Sequence, residues 1–147
     1  MKAEKLSELN KLKNNGLKKI LPNKPLIAVG MGTCGIGNGA QTLMTAFGKE
    51  IKAKKVNVLL KPVGCFGCCA AEPLVNIYLP GQPLLIFGNV EPKDVPVLIS
   101  MIKSGRIKHK KILCKIEKWD HLTGIIEYGE GYSEVPFWYE VPFFQGQ

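Results

Sequence analysis

The 147-residue chain has no apolar run approaching the roughly 18 residues of a membrane-spanning helix. Its start, Met-Lys-Ala-Glu-Lys-Leu-Ser-Glu-Leu, lacks the apolar stretch of a secretory signal. The expected compartment is therefore the cytoplasm, where thiols stay reduced. Five cysteines, an odd number, do not make a complete disulfide framework. The two histidines, His109 and His121, have no companions at metal-ligand spacing and are expected at the surface. Lysines gather at Lys11, Lys13, Lys18 and Lys19, again across 49–55 and across 103–111, without an aromatic platform or a nucleic-acid motif among them. The formal charge of +8 thus marks a solvated basic face, or one that docks an acidic protein, rather than a nucleic-acid surface. Gly32, Gly35, Gly37 and Gly39 repeat part of a dinucleotide-binding fingerprint, but no acidic residue ends the second strand, where Lys61 stands instead.

What is present is a hydrophobic content of 46%, enough for a real core in a chain of about one domain. Four of the five cysteines sit on two glycine-rich stretches, Cys34 in Gly-Thr-Cys-Gly-Ile-Gly and Cys65, Cys68 and Cys69 in Gly-Cys-Phe-Gly-Cys-Cys. Soft thiolates gathered on loops suit iron–sulfur clusters or zinc. Glycine beside a cysteine lets backbone amides approach the sulfur, and Gly30, Gly32, Gly35, Gly64 and Gly67 are placed to do so. Cys114 lies apart in an apolar strand candidate and reads as a buried, inert thiol. Glu72, beside the second cysteine stretch, is expected to satisfy loop amides.

Leu6, Leu9, Leu12, Leu17 and Ile20 recur at helical spacing, and Pro22 closes that helix. A strand over 25–29 leads into a loop over 30–37, then a helix capped by Asn38 and running to about Lys54. A strand over 56–60 enters the second cysteine loop. Strands over 74–79 and 84–87, separated by Pro80-Gly81-Gln82, form a hairpin, and Glu91-Pro92-Lys93-Asp94 opens a last helix ended by Gly105. Residues 112–116 could add a strand, whereas 120–147 read as loop. The order βαβ then ββα predicts an α/β, thioredoxin-like fold, a mixed four-stranded sheet flanked by helices. Both cysteine loops then lie beyond the carboxyl ends of the two parallel strands and can share one site. The chain divides into an N-terminal helix (1–22), this domain (23–110) and an extension (111–147). The aromatic end, Val-Pro-Phe-Trp-Tyr-Glu-Val-Pro-Phe-Phe, either docks on a partner or packs back over the domain.

Four segments carry a family likeness: Gly-Thr-Cys-Gly-Ile-Gly-Asn-Gly-Ala (32–40), Gly-Cys-Phe-Gly-Cys-Cys (64–69), Glu-Pro-Leu-Val (72–75) and Phe-Gly-Asn-Val-Glu-Pro-Lys-Asp-Val (87–95). Together they resemble the thioredoxin-like [2Fe–2S] ferredoxin domain at the N-terminus of flavin-binding subunits of NADH-dependent hydrogenases and formate dehydrogenases. Those subunits are relatives of the NADH-oxidising flavoprotein of respiratory complex I. Leu122-Thr-Gly and Val141-Pro-Phe-Phe-Gln look like the linker into the flavin domain of such proteins. The resemblance implies a [2Fe–2S] cluster held by a C-x4-C pair and a C-x3-C pair. Cys34 is then the second member of the first pair, and Cys65 and Cys69 are the second pair. The first member falls at Val29, which has no ligating atom, and Cys68 is the candidate replacement.

The implied function is an electron-transfer module of an NAD(P)H-linked oxidoreductase complex, partnered by a flavin- and NAD(P)H-binding subunit. No complete active site lies in this chain and no catalytic residue is assigned. A cluster-free docking domain of such a complex is the alternative. A thiol enzyme using Cys65 and Cys69 is weaker, because it lacks a Cys-x-x-Cys at the start of a helix after the first strand.

Overall fold

The computed structural model describes residues 6–121 and 124–145, without the side chains of 120, 121, 124 and 125. Leu122 and Thr123 of the linker-like motif, and the histidine side chain at 121, lie outside what is described. The apolar segment Leu-Ile-Ala-Val-Gly forms strand β1 (Leu26–Gly30) at the centre of a five-stranded sheet. It pairs in parallel with β2 (Leu59–Val63) and antiparallel with β3 (Val75–Tyr78). β3 turns into β4 (Leu84–Phe87) through the predicted hairpin, closed by the Gln82 N–H donating to the Leu79 carbonyl at 3.0 Å. β5 (Ile112–Ile116) then pairs antiparallel with β4, giving the order β2-β1-β3-β4-β5. The sheet therefore has one strand more than the four expected, drawn from the segment assigned to the extension. An apolar strand edge at β4 would otherwise stand unpaired.

One face of this sheet is covered by two helices, α3 (Ala40–Lys54) and α4 (Val95–Ser104). Leu43 and Phe47 of α3, and Val95, Leu98, Ile99 and Ile102 of α4, recur every three or four residues and are buried against Ile27, Val29, Ile77 and Phe87. α4 is entered through a turn in which the Glu91 N–H donates to Asp94 Oδ2 at 2.8 Å. Lys111 Nζ reaches both carboxylates, at 2.6 Å from Asp94 and 2.8 Å from Glu91, and so ties the start of α4 to the approach to β5.

The opposite face buries Leu74, Ile86, Cys114 and Ile116. Among the described residues no long helix covers it; Trp119, Tyr128, Trp138, Val141 and Phe144 pack there instead. Two of these side chains come from a hairpin region, β6 (Lys118–His121) with β7 (Gly124–Glu127), where sequence reading expected loop. Three come from the aromatic end, whose last turn is the short helix α5 (Pro142–Gln145). Trp138 meets Trp119 at 5.0 Å and Phe144 at 5.6 Å between ring centroids. Lys115, 4% exposed, pegs this layer to β5, since its Nζ bonds Glu117 and the Gly131 carbonyl and sits 4.3 Å from the Phe137 ring. Of the two outcomes expected for the aromatic end, these side chains follow the second and pack back.

The N-terminal helix α1 (Leu6–Ile20) spans the predicted residues and buries none of them. Leu6, Leu9, Leu12 and Ile20 are exposed along it. Among the described residues, no helix is long and apolar enough to cross a membrane.

Candidate functional site

β1 and β2 end level with each other, Gly30 opposite Val63, and the Met31 N–H donates to the Val63 carbonyl at 2.8 Å. Both cysteine segments consequently leave the same edge of the sheet. The first is not the open loop expected over 30–37; it contains a single-turn helix, α2 (Thr33–Gly37), which carries Cys34. Asn38 does not cap α3. It closes α2, donating from its backbone N–H and from Nδ2 to the Cys34 carbonyl at 3.0 and 2.8 Å. Gly39, at φ +95°, then starts α3. A short amide side chain that reaches back four residues favours this local closure over a new helix start.

The two segments touch. A Cβ placed on Gly32 would lie 2.7 Å from the Cys65 Cβ, so only glycine permits this approach. Within the second segment, Gly67 at φ +100° makes the turn, and its N–H donates to Cys65 Sγ at 3.2 Å. Gly64, by contrast, has open space around it. Beyond the turn, the Cys69 N–H donates to the Gly67 carbonyl at 2.8 Å, and residues Cys69–Ala71 form a 3-10 turn.

All five cysteines are free thiols. The Cys69 thiol faces both Cys34 and Cys65, and its pKa is pushed up to about 11, first by thiol hydrogen bonding with Cys34, then by local desolvation and by charge on Cys34 and Cys65. Cys34, Cys65 and Cys69 thus form a triad across the two segments. Cys68 turns the other way and packs on the second-face cluster with Leu74, Ile86 and Cys114. Burial raises its pKa, against a hydrogen bond from the Ala71 backbone, with Cys65 and Glu72 adding to the rise. Cys114 is 1% exposed and its thiol is pushed up to about 12 by burial first and by Cys68 second, as suits an inert core thiol. Val29 is wholly buried in the helix-side core. Among the described residues, no three Cys, His, Asp or Glu side chains converge closely enough for a single metal ion.

Glu72 is 5% exposed at the foot of the second segment. Its Oε2 accepts the Leu74 N–H at 2.7 Å, the loop-amide role expected of it. Its Oε1 is buried without a partner, a feature no local pattern in the sequence could reveal. An acceptor left in that condition costs about 1–3 kcal/mol. Aromatic side chains overlie the same segment: Phe66 stacks on Phe144 at 5.8 Å, and a Cβ at Gly67 would lie 3.8 Å from the Phe143 ring. Ile36 and Phe66 flank the thiols and are exposed. His109, expected at the surface, is half-buried against Phe87, its Nδ1 accepting the Lys111 N–H at 3.3 Å.

No family model matches the chain. In sequence it is 33% identical over 78 residues to the NADP-reducing hydrogenase subunit HndB of Solidesulfovibrio fructosivorans, across 52% of this chain and 62% of that protein. The chain thus spans under two thirds of that relative's length. In structure it is similar to the thioredoxin-like [2Fe–2S] ferredoxin of Aquifex aeolicus, with a TM-score of 0.55 at 20% identity over 63% of this chain and 93% of that one. A second structure of the same ferredoxin, at 1.5 Å resolution, gives the same TM-score and is covered over 99% of its length. The fold is thioredoxin-like, and the sequence comparison points the resemblance to a hydrogenase subunit.

Proposed function

We propose that this chain is an electron-transfer module, a [2Fe–2S] ferredoxin-like domain or subunit of an NAD(P)H-linked oxidoreductase complex. The observation that carries the reading is the meeting of Cys34, Cys65 and Cys69 across two segments at one sheet edge. The likeness to a hydrogenase subunit and to a ferredoxin supports it. Ligand pairs on two irons are spread more widely than ligands on one ion, which suits a triad that does not converge on a single point.

Cys34, Cys65 and Cys69 would hold the cluster, which supplies one-electron transfer when bound. The Gly67 N–H already donates to Cys65 Sγ and would tune the potential through that bond. The close contact of Gly32 with Cys65 fixes the spacing between the segments, while Gly35 packs against the Gly30 carbonyl and holds the Cys34 turn on β1. Ile36 and Phe66 offer an apolar rim beside the thiols for a flavin- and NAD(P)H-binding partner, where hydride chemistry would take place. Val29 does not fit the fourth ligand place, because it is apolar and buried in the core.

Anaerobic purification and reconstitution, followed by iron and acid-labile sulfide assay, tests the reading. The expected result is about two irons and two sulfides per chain, with visible absorbance at about 400–550 nm. A colourless, iron-free protein would overturn it. The second reading, a cluster-free docking domain, is favoured by one observation: α1 presents four exposed aliphatic side chains and buries none.

A further inference from the structure

Between α4 and β5 the side chains alternate as in an extended chain: Ile107 is buried and His109 half-buried, whereas Arg106, Lys108 and Lys110 are exposed. This strip faces the segment 132–136, and hydrogen bonds fix both. The Ile107 N–H donates to Tyr132 Oη at 3.0 Å, Tyr132 Oη donates to Gln82 Oε1 at 2.8 Å, and Gln82 Nε2 donates to the Gly105 carbonyl at 2.9 Å. The Pro136 carbonyl accepts the Lys115 N–H at 2.9 Å. A cavity of about 560 Å³ stays open between these walls, with Ile107, Ile112, Val135 and Pro136 as its apolar lining. Lys108 and Lys110 stand on one wall and Glu134 on the other. A smaller hollow of about 360 Å³ adjoins at Glu134, lined in part by Arg106 and Glu130. Among the described residues, none of these five charged side chains joins an ion pair. The backbone N–H groups of Lys108 and Lys110 and the Lys108 carbonyl likewise find no partner among them.

Three cations spaced two residues apart draw anionic groups to the strip. The glutamates opposite repel a polyanion, such as nucleic acid or an anionic membrane, whose charge has one sign throughout. A polypeptide carries both signs, and an extended one sends alternate side chains to opposite sides. We propose that this groove takes an extended segment of a partner protein, with carboxylates toward Arg106, Lys108 and Lys110 and an apolar side chain in the larger cavity. The open backbone groups of Lys108 add main-chain hydrogen bonds, the usual source of affinity for an extended peptide laid along a strand-like edge. The walls are held before the segment arrives, so little ordering cost falls on binding. Register across the sheet runs Val29, Val75, Phe87, Ile112, which sets the Ile112 end of the groove level with the end of β1. A partner anchored here is held beside the sheet edge from which the cysteine segments leave.

The test is a phage-displayed random peptide library panned on the whole chain, with the enriched peptides synthesised and measured by fluorescence anisotropy. Enrichment should favour acidic residues alternating about an apolar one. Lys108→Glu combined with Lys110→Glu should weaken those peptides at least tenfold, and added salt should weaken them on the wild type, because exposed charge pairs are screened. Amide shifts in NMR spectra should map the peptide to 106–112 and 132–136. Both replaced lysines are exposed, and circular dichroism checks that the fold is kept; should the double variant misfold, the NMR map of the wild type decides. No enrichment, or peptides that bind the double variant unchanged, would overturn the proposal. So would single-stranded DNA or phosphatidylglycerol vesicles occupying the groove where peptides do not. A wild-type dimer in sedimentation that the double variant dissociates would give the groove to a second copy and overturn it too. None of these readouts uses iron, so the cluster reading and this one stand or fall separately.

Discussion

The two faces of the central sheet are covered by different means. On one, sixteen buried side chains among the described residues interlock across strands and two regular helices. On the other, four buried side chains lie under a patchwork of partly buried aromatics, supplied by a small hairpin and the region around α5. Close-packed aliphatic layers resist loss of any one member, because the hole that remains cannot refill. A layer of half-exposed rings has less to lose per residue and opens more locally. The cysteine segments sit where the two layers meet. The thiol triad is at the sheet edge, and Cys68 points into the looser layer.

Substitution separates the two layers most sharply. Leu98→Ala, at a fully buried position of α4, should cost about 2–5 kcal/mol in chemical unfolding. Trp138→Ala should cost less, about 1–3 kcal/mol, because its ring is only partly buried in the looser layer. It should nonetheless speed thiol labelling of Cys68 and Cys114 in the folded state, which Leu98→Ala should do only through global unfolding. Equal labelling rates in the two variants would erase the distinction between the faces.

Acid should act on the tighter side through the seam around Lys111. Hydrogen bonds from Lys111 first, and from Lys93, hold the Glu91 carboxyl below its ordinary range. For Asp94, burial pushes upward, but the Lys111 bond and the Glu91 amide outweigh it and the net shift is down. Folded carboxyls lowered in this way stabilise the fold above their unfolded pKa, and that contribution is lost as pH falls through the lowered values. Burial lowers the Lys111 pKa, but Asp94 and Glu91 reverse it to a net rise, so its share persists at neutral pH and fades only as pH climbs through the raised value. Asp94→Asn should therefore flatten the acid limb of a stability–pH curve while leaving Trp119–Trp138 packing, followed by fluorescence, unchanged.

The smallest effects concern individual thiols. In the cluster-free chain, alkylation of Cys69 should rise with pH around a midpoint of about 11, and Cys34→Ser should lower that midpoint by removing its main cause. Cys114, raised to about 12 by burial first, should stay unreactive until the looser layer opens. Mass-spectrometric mapping of labelled thiols across pH distinguishes the two.

Sequence pattern disclosed the tighter face well, because α3 and α4 carry strong helical periodicity and β1, β3 and β4 are apolar runs bounded by turn residues. It also brought the two cysteine segments to one edge, since parallel strands must end on the same side. It missed α2, whose glycines argue against a helix and which is fixed by Asn38 folding back onto Cys34. It missed the pairing of β6 with β7, where the local pattern is weak and Trp119 finds its partner Trp138 nineteen residues on. That Cys68 points away from Cys69 fits the alternation of neighbouring residues in an extended stretch, whereas the bare oxygen of Glu72 depends on segments distant in sequence and no local pattern announces it.

The arrangement of the looser layer has a consequence for the order in which the protein is made. Every strand of the main sheet has been synthesised by residue 116, but Trp138, Val141 and Phe144 emerge later. At about 5–20 residues per second, the roughly 25 residues separating β5 from α5 take about 1–5 s to add. Through that interval the chain contains the sequence of the whole main sheet but lacks the aromatic side chains that cover its second face. Phe143 and Phe144, which lie over Gly67 and Phe66, are thus among the last described parts of the cover over the second cysteine segment to be made.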